Sequence, residues 1–458
     1  MRILFSTIAV AASFSGFAQH NLGVATSNFA GINSLALNPA NISECRELKS
    51  VNILSLSYGV DNNVGPFNAK EGFVVALDGG KTNNMFQYTN NSRISMLAPY
   101  INIAGPAVMF RLDKTNTIAI TTGLRGMNQF NNFDQTLFHT FNEPGYIAEK
   151  NVLATLRDFS YTVHLWTEIG ASYAGVFYND GHNKIKAGGT LRYLSGIAYV
   201  GVTGSTMDAK FTQGTNSFSA GNAELEYSSN ALNTRASQGN DISKGFVSLL
   251  GKRKFGTGFG GDLGVVYEHK PMDAKPTDGY KTKFSVAVCD IGAVTYNDDI
   301  NTTEKFTGTG ELTGSKILAN VKNFENMKTY AVKSGFKAEI TKEAKKVHMP
   351  TRLMLAGDYH LQKEYFINVT FLINLANREK YGNSYYSQFS ITPRYEYKKL
   401  KLSLGLPISY STLSNRFKTG IGAMYKSIFV GSDDLLAIVS RSQYGLNFYG
   451  GASVRMYK

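Results

Sequence analysis

The residues best suited to chemistry in this 458-residue chain are seven histidines and a scatter of carboxylates. Metal sites need ligands at paired spacings, and covalent catalysis needs a nucleophile beside an oriented base. Neither pattern occurs around the histidines, which are His20, His139, His164, His182, His269, His348 and His360. The sequence therefore predicts no enzyme activity, no metal site and no cofactor.

Two short stretches are similar to binding motifs but lack the context that their chemistry needs. Gly258-Phe259-Gly260-Gly261 lies in a strand pattern with no helix after it, so it is not predicted to bind phosphate. Asn297, Asp298, Asp299 and Glu304 offer oxygen ligands suited to calcium, but the EF-hand spacing is absent. We expect a solvated turn there, with a calcium site as the weaker alternative.

A third set of polar residues alternates with apolar ones along long stretches. Alternation places successive side chains on opposite faces of a strand, so these residues all lie on its polar face. We predict that this face lines the inside of a barrel. The candidate lumen-facing residues are His164, Trp166, Glu168, Arg192, Asp358, His360, Arg394 and Glu396.

The strands that must position these residues are read from strict period-two patterns. Between Leu400 and Ser411 every second residue is apolar, and the run from Phe389 to Tyr397 repeats the pattern. Only Lys398 and Lys399 separate the two runs, which predicts a two-residue hairpin loop with Tyr397 and Leu400 as partners. The apolar face could lie in a sandwich core or in lipid.

Strand length favours lipid. An alternating run extends from Tyr161 to Phe177, Asn179-Asp180-Gly181 turns the chain, and a return strand runs from Ile185 to Tyr193. Strands in soluble sheets average about 5 to 6 residues, whereas a tilted strand needs about 9 to 11 to cross a bilayer. We therefore predict an all-β protein, a closed antiparallel transmembrane β-barrel.

The N-terminus is typical of an exported protein. Met1 and Arg2 precede a largely apolar run, and Gly16 and Ala18 are the small residues of a cleavage site before Gln19. We predict a cleaved signal peptide at residues 1–18 and localisation in the cell outer membrane. The site lacks the following cysteine that a lipoprotein needs.

Composition excludes other classes. No stretch after Ala18 has the roughly 18 consecutive apolar residues of a membrane-spanning helix. The net charge of +13 suits anionic lipid head groups or solvent in an exported protein. Basic clusters at 252–254 and 342–346 lack interleaved aromatic residues, so no nucleic-acid partner is predicted. Cys45 and Cys289 could form one disulfide, but we favour two unpaired cysteines.

Two segments depart from the strand pattern. Residues 19–48 are small and polar and lack sustained alternation, so they are not predicted to form a barrel strand. Residues 297–348 are predicted to be a helical or loop insertion, because Ile317, Val321, Phe324, Met327 and Ala331 recur at helical spacing. The remaining chain, residues 49–458, is assigned to the barrel.

Several motifs carry a family resemblance. Asn38-Pro39-Ala40, the pair Asp262-Leu263-Gly264 and Asp290-Ile291-Gly292, and Met349-Pro350-Thr351-Arg352 follow one another along the chain. In that order they resemble the long-chain fatty-acid transporter (FadL-like) superfamily of outer-membrane barrels. The nearest part of it is an uncharacterised branch related to secretion-associated barrels of the type nine system.

This resemblance implies about 14 strands, an N-terminal hatch at residues 19–48 in the lumen with the motif Asn38, Pro39 and Ala40, and both termini in the periplasm. Our own strand count from the sequence is roughly 14 to 16, consistent with an even-numbered barrel. Counting back from a periplasmic C-terminus places Lys398-Lys399 outside and residues 297–347 in the periplasm. External loops are normally the longer ones, so either a further strand lies near Leu435 or this branch carries a periplasmic helical element.

Two functions remain open from the sequence. The first is a channel for uptake of a hydrophobic small molecule, gated by the hatch around Asn38 to Ala40. The second is a non-transporting barrel that anchors or assembles surface or secretion-system proteins. The partners predicted are outer-membrane lipid and either a hydrophobic small molecule or a periplasmic or surface protein. An apolar pocket between hatch and wall would favour transport, and a solidly packed lumen would favour the anchor.

Overall fold

Antiparallel pairing runs continuously around the sheet and closes on itself. The computed structural model describes residues 21–45, 47–66, 93–142, 147–215, 217–230, 256–272, 279–297, 301–313, 324–377, 381–436 and 444–457. The signal peptide predicted at residues 1–18 lies outside the described residues, as do Asp298 and Asp299. In the described part, no helix has the length and apolar character needed to cross a membrane.

The elements of the described residues are as follows. The helices are α1 (Leu22–Ala25), two 3-10 helices (Gly31–Ala36 and Pro39–Ile42), α2 (Gln135–Asn142) and α3 (Phe324–Lys333). The strands are β1 (Glu47–Asn62), β2 (Arg93–Ala104), β3 (Ala107–Arg111), β4 (Thr117–Asp134), β5 (Val152–Asn179), β6 (Asn183–Phe211), β7 (Ser217–Asn230), β8 (Gly256–His269), β9 (Thr282–Tyr296), β10 (Asn301–Thr313), β11 (Lys337–Thr341), β12 (Lys345–His348), β13 (Arg352–Gln362), β14 (Tyr365–Asn374), β15 (Gln388–Tyr397), β16 (Leu402–Gly405), β17 (Ile408–Ser411), β18 (Arg416–Thr419), β19 (Ile421–Tyr425), β20 (Ile428–Ser432) and β21 (Gly445–Tyr457).

These strands occupy fourteen positions around the barrel. Some positions hold more than one strand, placed end to end: β2 with β3, β7 with β8, β9 with β10, β11 with β12 and β13, β16 with β17, and β18 with β19. The barrel closes where β21 pairs with β1, from Glu47 opposite Tyr457 to Asp61 opposite Gly445. The predicted closed barrel of about 14 strands is confirmed.

The outer face of the barrel is apolar on every strand position. Ile169, Leu191 and Leu263 are 58%, 66% and 66% exposed, although each is a large apolar side chain. Such a continuous exposed surface is unfavourable in water and is the lipid-facing band of an outer-membrane barrel. Hydrocarbon therefore covers the apolar face, as the strand lengths predicted.

Aromatic pairs border this band. Near one end Tyr365 packs against Tyr395, with ring centroids 5.3 Å apart. Farther along the same strands Phe371 packs against Phe389, at 4.9 Å. Rings of aromatic residues are favoured at both membrane interfaces, because one side of the ring is apolar and the other tolerates water.

Short turns gather at the end of the barrel that also holds Glu47 and Tyr457, here called the terminal end; the opposite end is the loop end. The turns comprise residues 112–116, 180–182, 363–364, 398–401 and 426–427. In one of them, hydrogen bonds from the Asn183 side chain and from the backbone of Asn183 and His182 hold the pKa of Asp180 below its usual range. Charged turns of this kind suit the aqueous side of the interface.

The structure corrects the sidedness count made from the sequence. The turn at Lys398 lies at the same end as the termini, because the stretch from Phe417 to Phe429 is two strand positions rather than one. Lys426 turns the chain there with φ 51°, and apolar alternation continues across the turn and hides it. The Lys398 turn is also longer than predicted, since Tyr397 pairs with Leu402 rather than Leu400.

Residues 297–348 also differ from the expected helical or loop insertion. They contain α3, but β10, β11 and β12 are strands that continue the wall toward the loop end. Together with the ends of β5, β6 and β7 they form an extension of the sheet. Leu137 and Phe138 of α2, and Tyr330 and Ala331 of α3, pack against its apolar face.

The lipid-facing assignment predicts an asymmetric response to a buried charge. Leu263→Arg, in the middle of β8, should destabilise the barrel by about 2–4 kcal/mol, the cost of a cation near the bilayer midplane. Ser219→Arg, at an exposed position of the extension, should leave the free energy of unfolding unchanged. Denaturant unfolding in lipid vesicles measures both. Equal stability of the two variants would contradict a lipid-facing β8.

Candidate functional site

The hatch, residues 21–45, lies inside the barrel. It has one turn of α-helix and two 3-10 helices, because its small and polar residues favour caps and turns over a long helix. Most of its side chains are buried against the inner wall. What holds this segment in place decides whether the lumen can open.

The motif Asn38-Pro39-Ala40 attaches the hatch to the wall. The Asn38 side chain accepts a hydrogen bond from the Ala40 N–H at 2.8 Å, which caps the second 3-10 helix. Its amide nitrogen donates to the backbone oxygens of Val265 and Val286, at 3.1 and 3.0 Å. One side chain thus fixes the local turn and its docking on β8 and β9.

Glycines make this docking possible. Gly188 of β6 and Gly264 of β8 are direct cross-strand partners beneath the motif. A Cβ atom on Gly188 would lie 2.7 Å from the Ala40 nitrogen, and one on Gly264 would overlap the Asn38 side chain. The wall therefore presents bare backbone where the hatch backbone approaches.

A second glycine pair receives the other end of the hatch. Gly405 of β16 and Gly422 of β19 are also direct partners, and both contact Gly23 of α1. A Cβ on Gly422 would lie 2.6 Å from the Gly23 carbonyl carbon. Next to it, the Asp433 carboxylate accepts the N–H of Leu22 at 3.1 Å. The hatch is thus docked at two points on different sides of the barrel.

Between these points, charged wall residues bond to the hatch. Asn28 donates its backbone N–H and its side chain to the Glu396 carboxylate, at 2.9 and 3.0 Å. Lys184 donates to Glu44 at 2.8 Å. Arg352 donates to the Ala36 carbonyl oxygen at 3.1 Å. These polar bonds act together with apolar packing, in which Val24, Phe29 and Ile42 of the hatch lie in buried clusters with wall side chains.

A buried ion-pair cluster lies on the side of the hatch that faces the loop end. Arg125 forms a two-pronged pair with Asp290, at 2.6 and 2.9 Å, and Arg352 pairs with the same carboxylate. Arg192 pairs with Asp262 at 2.7 Å, and the Asp262 carboxylate also accepts the Asp290 N–H. A buried charge of this kind is tolerated only when partners satisfy it.

The structure brings three of the sequence-predicted residues, Arg192, Glu168 and Trp166, to this cluster. Glu168 lies 3.5 Å from Arg125 and 3.6 Å from Arg192. Trp166 donates toward Glu168 at 3.4 Å and lies under Arg125. His164 is fully buried beside Trp166, with ring centroids 4.5 Å apart, rather than in the ion-pair cluster.

The remaining predicted residues form a second group. Asp358 pairs with Arg394 at 2.9 Å, Arg394 bonds Glu396 at 3.1 Å, and Tyr280 donates to Asp358 at 2.6 Å. His360 is not part of this ion-pair group. Its ring stacks on Phe366 and bonds the Lys363 carbonyl oxygen at the terminal end.

Sequence reasoning missed Arg125, Asp262, Asp290 and Arg352 as lumen residues. A bulge between Gly261 and Leu263, opposite Val288 and Ile291, breaks the period on which the face assignment of Asp262 and Asp290 depends. One signal was available: two Asp-aliphatic-Gly triplets start at Asp262 and Asp290, and both carboxylates belong to the cluster.

A second segment, the stopper (residues 381–387), closes the lumen from the loop end. Ser384 donates its N–H to Gln129 at 2.7 Å, and Tyr386 donates to Asn131 at 2.6 Å. Arg125 donates to the Tyr385 hydroxyl at 3.1 Å. The ion-pair cluster therefore touches the hatch on one side and the stopper on the other.

Between hatch and stopper the inner wall is apolar. The wall side chains are Leu97, Met127, Leu194, Ala287, Met354 and Leu372. They pack against Leu22 and Leu37 of the hatch and against Tyr385 and Tyr386 of the stopper. An apolar lining is unusual for a barrel interior, which is polar in water-filled channels.

A cavity of about 510 Å³ remains between hatch and wall at the terminal end. Its lining is largely polar, unlike the apolar pocket whose presence would have favoured transport. Lys184, Lys186 and Glu268 line it on β6 and β8, and Lys283, Asp358 and His360 continue the lining on the neighbouring strands β9 and β13. Small-molecule sites commonly have volumes of about 300–1,000 Å³.

Metal and thiol chemistry find no support in the described part of the chain. It contains no cluster of three or more histidine, cysteine or carboxylate residues that could bind a metal. Cys45 and Cys289 are both buried and unpaired with each other. The Cys289 thiol instead lies 3.8 Å from the Leu37 carbonyl oxygen of the hatch.

Comparisons with known proteins give one family and several distant structures. A family model described as "Family of unknown function (DUF5723)" matches residues 39–433. No curated protein matches the chain. Among solved structures, a Pseudomonas aeruginosa FadL homologue is 10% identical, with a TM-score of 0.41, covering 96% of this chain and 97% of its own.

Two further structures are similarly distant. The Ralstonia pickettii toluene transporter TbuX is 11% identical, with a TM-score of 0.41, covering 97% of this chain and 99% of its own. The deltaS2S3 mutant of the TodX monoaromatic hydrocarbon channel is 11% identical, with a TM-score of 0.46, covering 94% and 95%. At these values no functional residue is transferred.

The ion-pair cluster predicts a large effect of removing its central carboxylate. Asp290→Ala leaves Arg125 and Arg352 buried without their main partner, and should cost about 3–5 kcal/mol. Glu339→Ala, at an exposed position of β11, should have no measurable effect. Denaturant unfolding in detergent compares the two. Equal stability would show that the cluster contributes nothing to holding the lumen closed.

Proposed function

The chain belongs to the family of unknown function DUF5723, and we propose that it is an outer-membrane channel for hydrophobic small molecules whose gate is the hatch. The observation that carries the proposal is the apolar section of inner wall covered by hatch and stopper. In the closed state Leu97, Met127 and Leu372 pack against hatch and stopper, and in the proposed open state the same side chains line the path.

An open state would expose this section to the lumen. With the hatch and stopper withdrawn, the apolar wall side chains would line a path that repels water and accepts an apolar molecule. In the closed state the same side chains are covered by Leu22, Leu37 and the stopper tyrosines. Closure thus hides an apolar surface that water would otherwise meet.

The attachment of the hatch suits a movable gate. Asn38 of the hatch bonds the wall, and Glu396 and Arg352 of the wall bond the hatch; these bonds are polar, and water can replace each partner when the hatch moves. The glycine pairs add close backbone contact. Opening must also separate the apolar clusters around Val24 and Ile42, whose burial stabilises the closed state.

Sidedness follows from the barrel topology. Outer-membrane barrels have short turns on the periplasmic side and long loops outside. We therefore assign the terminal end to the periplasm and the extension with the stopper to the cell surface. A molecule would meet the stopper first and the hatch last.

A second function is favoured by the packing of the lumen. Hatch and stopper fill the described lumen with side chains, and the cavity that remains is polar. A barrel that anchors or assembles surface or secretion-system proteins needs no open path. In that case the extension above the membrane would supply the contact surface.

Loosening the hatch distinguishes the two. Asn38→Ala removes the bonds to Val265 and Val286, so a gated channel should admit a hydrophobic dye into proteoliposomes several-fold faster. Asn33→Ala is the matched control, because Asn33 lies in the neighbouring 3-10 helix of the hatch and its side-chain nitrogen has no hydrogen-bond partner among the described residues. A hydrophilic sugar of similar size should enter less readily than the dye.

The opposite docking point gives an independent variant. Asp433→Ala frees the α1 end of the hatch, and the double variant with Asn38→Ala should admit more dye than either alone. Folding is verified by the shift of the unheated band in gel electrophoresis. If all three folded variants exclude the dye as well as the native protein does, the channel proposal is rejected and the anchor is favoured.

A further inference from the structure

The cavity at the terminal end has an unequal distribution of paired charges. All four carboxylates in its lining have a cation within ion-pair distance: Glu44 at 2.8 Å, Glu47 at 3.3 Å, Glu268 at 2.7 Å and Asp358 at 2.9 Å. The lining cations are more numerous than these partners require. Lys283, Lys270 and Lys398 line the same cavity and form no ion pair with the described residues.

Lys283 is the most enclosed of the three lysines. It stands on β9 directly between Glu268 of β8 and Asp358 of β13 in the strand register. Glu268 is engaged by Lys186, and Asp358 by Arg394 and Tyr280. The Lys283 ammonium group lies 5.8 Å from the Tyr280 ring centroid and faces the cavity.

Because the carboxylates beside Lys283 already pair with other cations, an anion from solution is a favourable further partner for this enclosed ammonium group. The hatch side of the cavity adds the Asn41 amide, whose oxygen has no hydrogen-bond partner. Because an amide can present either its nitrogen or its oxygen, this group can donate to an anion. The rim lysines, Lys270 and Lys398, raise the local concentration of anions at the opening.

We propose that this cavity is a binding site for a small oxyanion, a carboxylate or phosphate group, held between Lys283 of the wall and the underside of the hatch. This goes beyond the proposed function, because it requires no molecule to cross the barrel. An anion held here touches both hatch and wall, so its binding stabilises the closed hatch. The cavity opens at the terminal end, where soluble anions have access.

Calorimetric titration of the full-length protein in detergent tests the site, with inorganic phosphate and glutarate as probes. Saturable binding of one equivalent is expected for either probe. Lys283→Gln should weaken it by about tenfold or more, the value of one charge-assisted hydrogen bond. Lys283→Arg, which keeps the charge, should retain it. Lys210→Gln, on the exposed extension, should bind as the native protein does.

Two nanodisc experiments distinguish a lipid head group from a soluble anion as the natural ligand. In nanodiscs of phosphatidylcholine the soluble probe should bind as in detergent. If added phosphatidylglycerol lowers that binding, a lipid head group uses the same site; if it does not, the ligand is a soluble anion. Both results support the site. It is rejected if neither probe binds the native protein, or if folded Lys283→Gln binds as tightly, whatever the dye assay shows.

Discussion

The structure depends on one constraint: a barrel in lipid must send every second side chain inward, and inward-facing charges must find partners there. The wall alone does not satisfy them. Arg352 completes its bonds on the Ala36 carbonyl oxygen, Glu396 on Asn28, and Asp433 on the α1 backbone. Hatch and wall are therefore electrostatically incomplete without each other, which explains why a short segment with little helix of its own holds a defined structure.

The hatch also shows how close backbone contact is obtained beside its apolar contacts with the wall. Two cross-strand glycine pairs, Gly188 with Gly264 and Gly405 with Gly422, remove side chains where the hatch backbone meets the wall. The motif Asn38-Pro39-Ala40 is then understandable in physical terms: asparagine bonds two strands at once, and proline starts the 3-10 helix without an N–H to satisfy. The motif is a docking device in the closed barrel.

Much of the fold could be predicted because a strand between lipid and lumen must alternate apolar and polar residues. Alternation and strand length indicated the barrel, and its fourteen positions agree with the family resemblance. The sequence was less informative where the period breaks. The turn at Lys426 lies within continuous alternation, so one strand was missed and the ends were exchanged. The Arg125–Asp290 pair joins residues 165 positions apart, and no local sequence pattern predicts such a contact.

The pairing of β1 with β21 has a consequence for biogenesis. The first and last strands of the sheet are neighbours, so the ring cannot be sealed until the C-terminal strand has been delivered. The hatch precedes every strand in the chain and ends up enclosed by all of them. A growing sheet that curls around the hatch would form these contacts one strand at a time. Pairing of β1 with β21 would then enclose the hatch. Contacts of such long sequence separation form slowly. The edge of β1 therefore stays unpaired until β21 is in place, and a chaperone would have to protect it for that long.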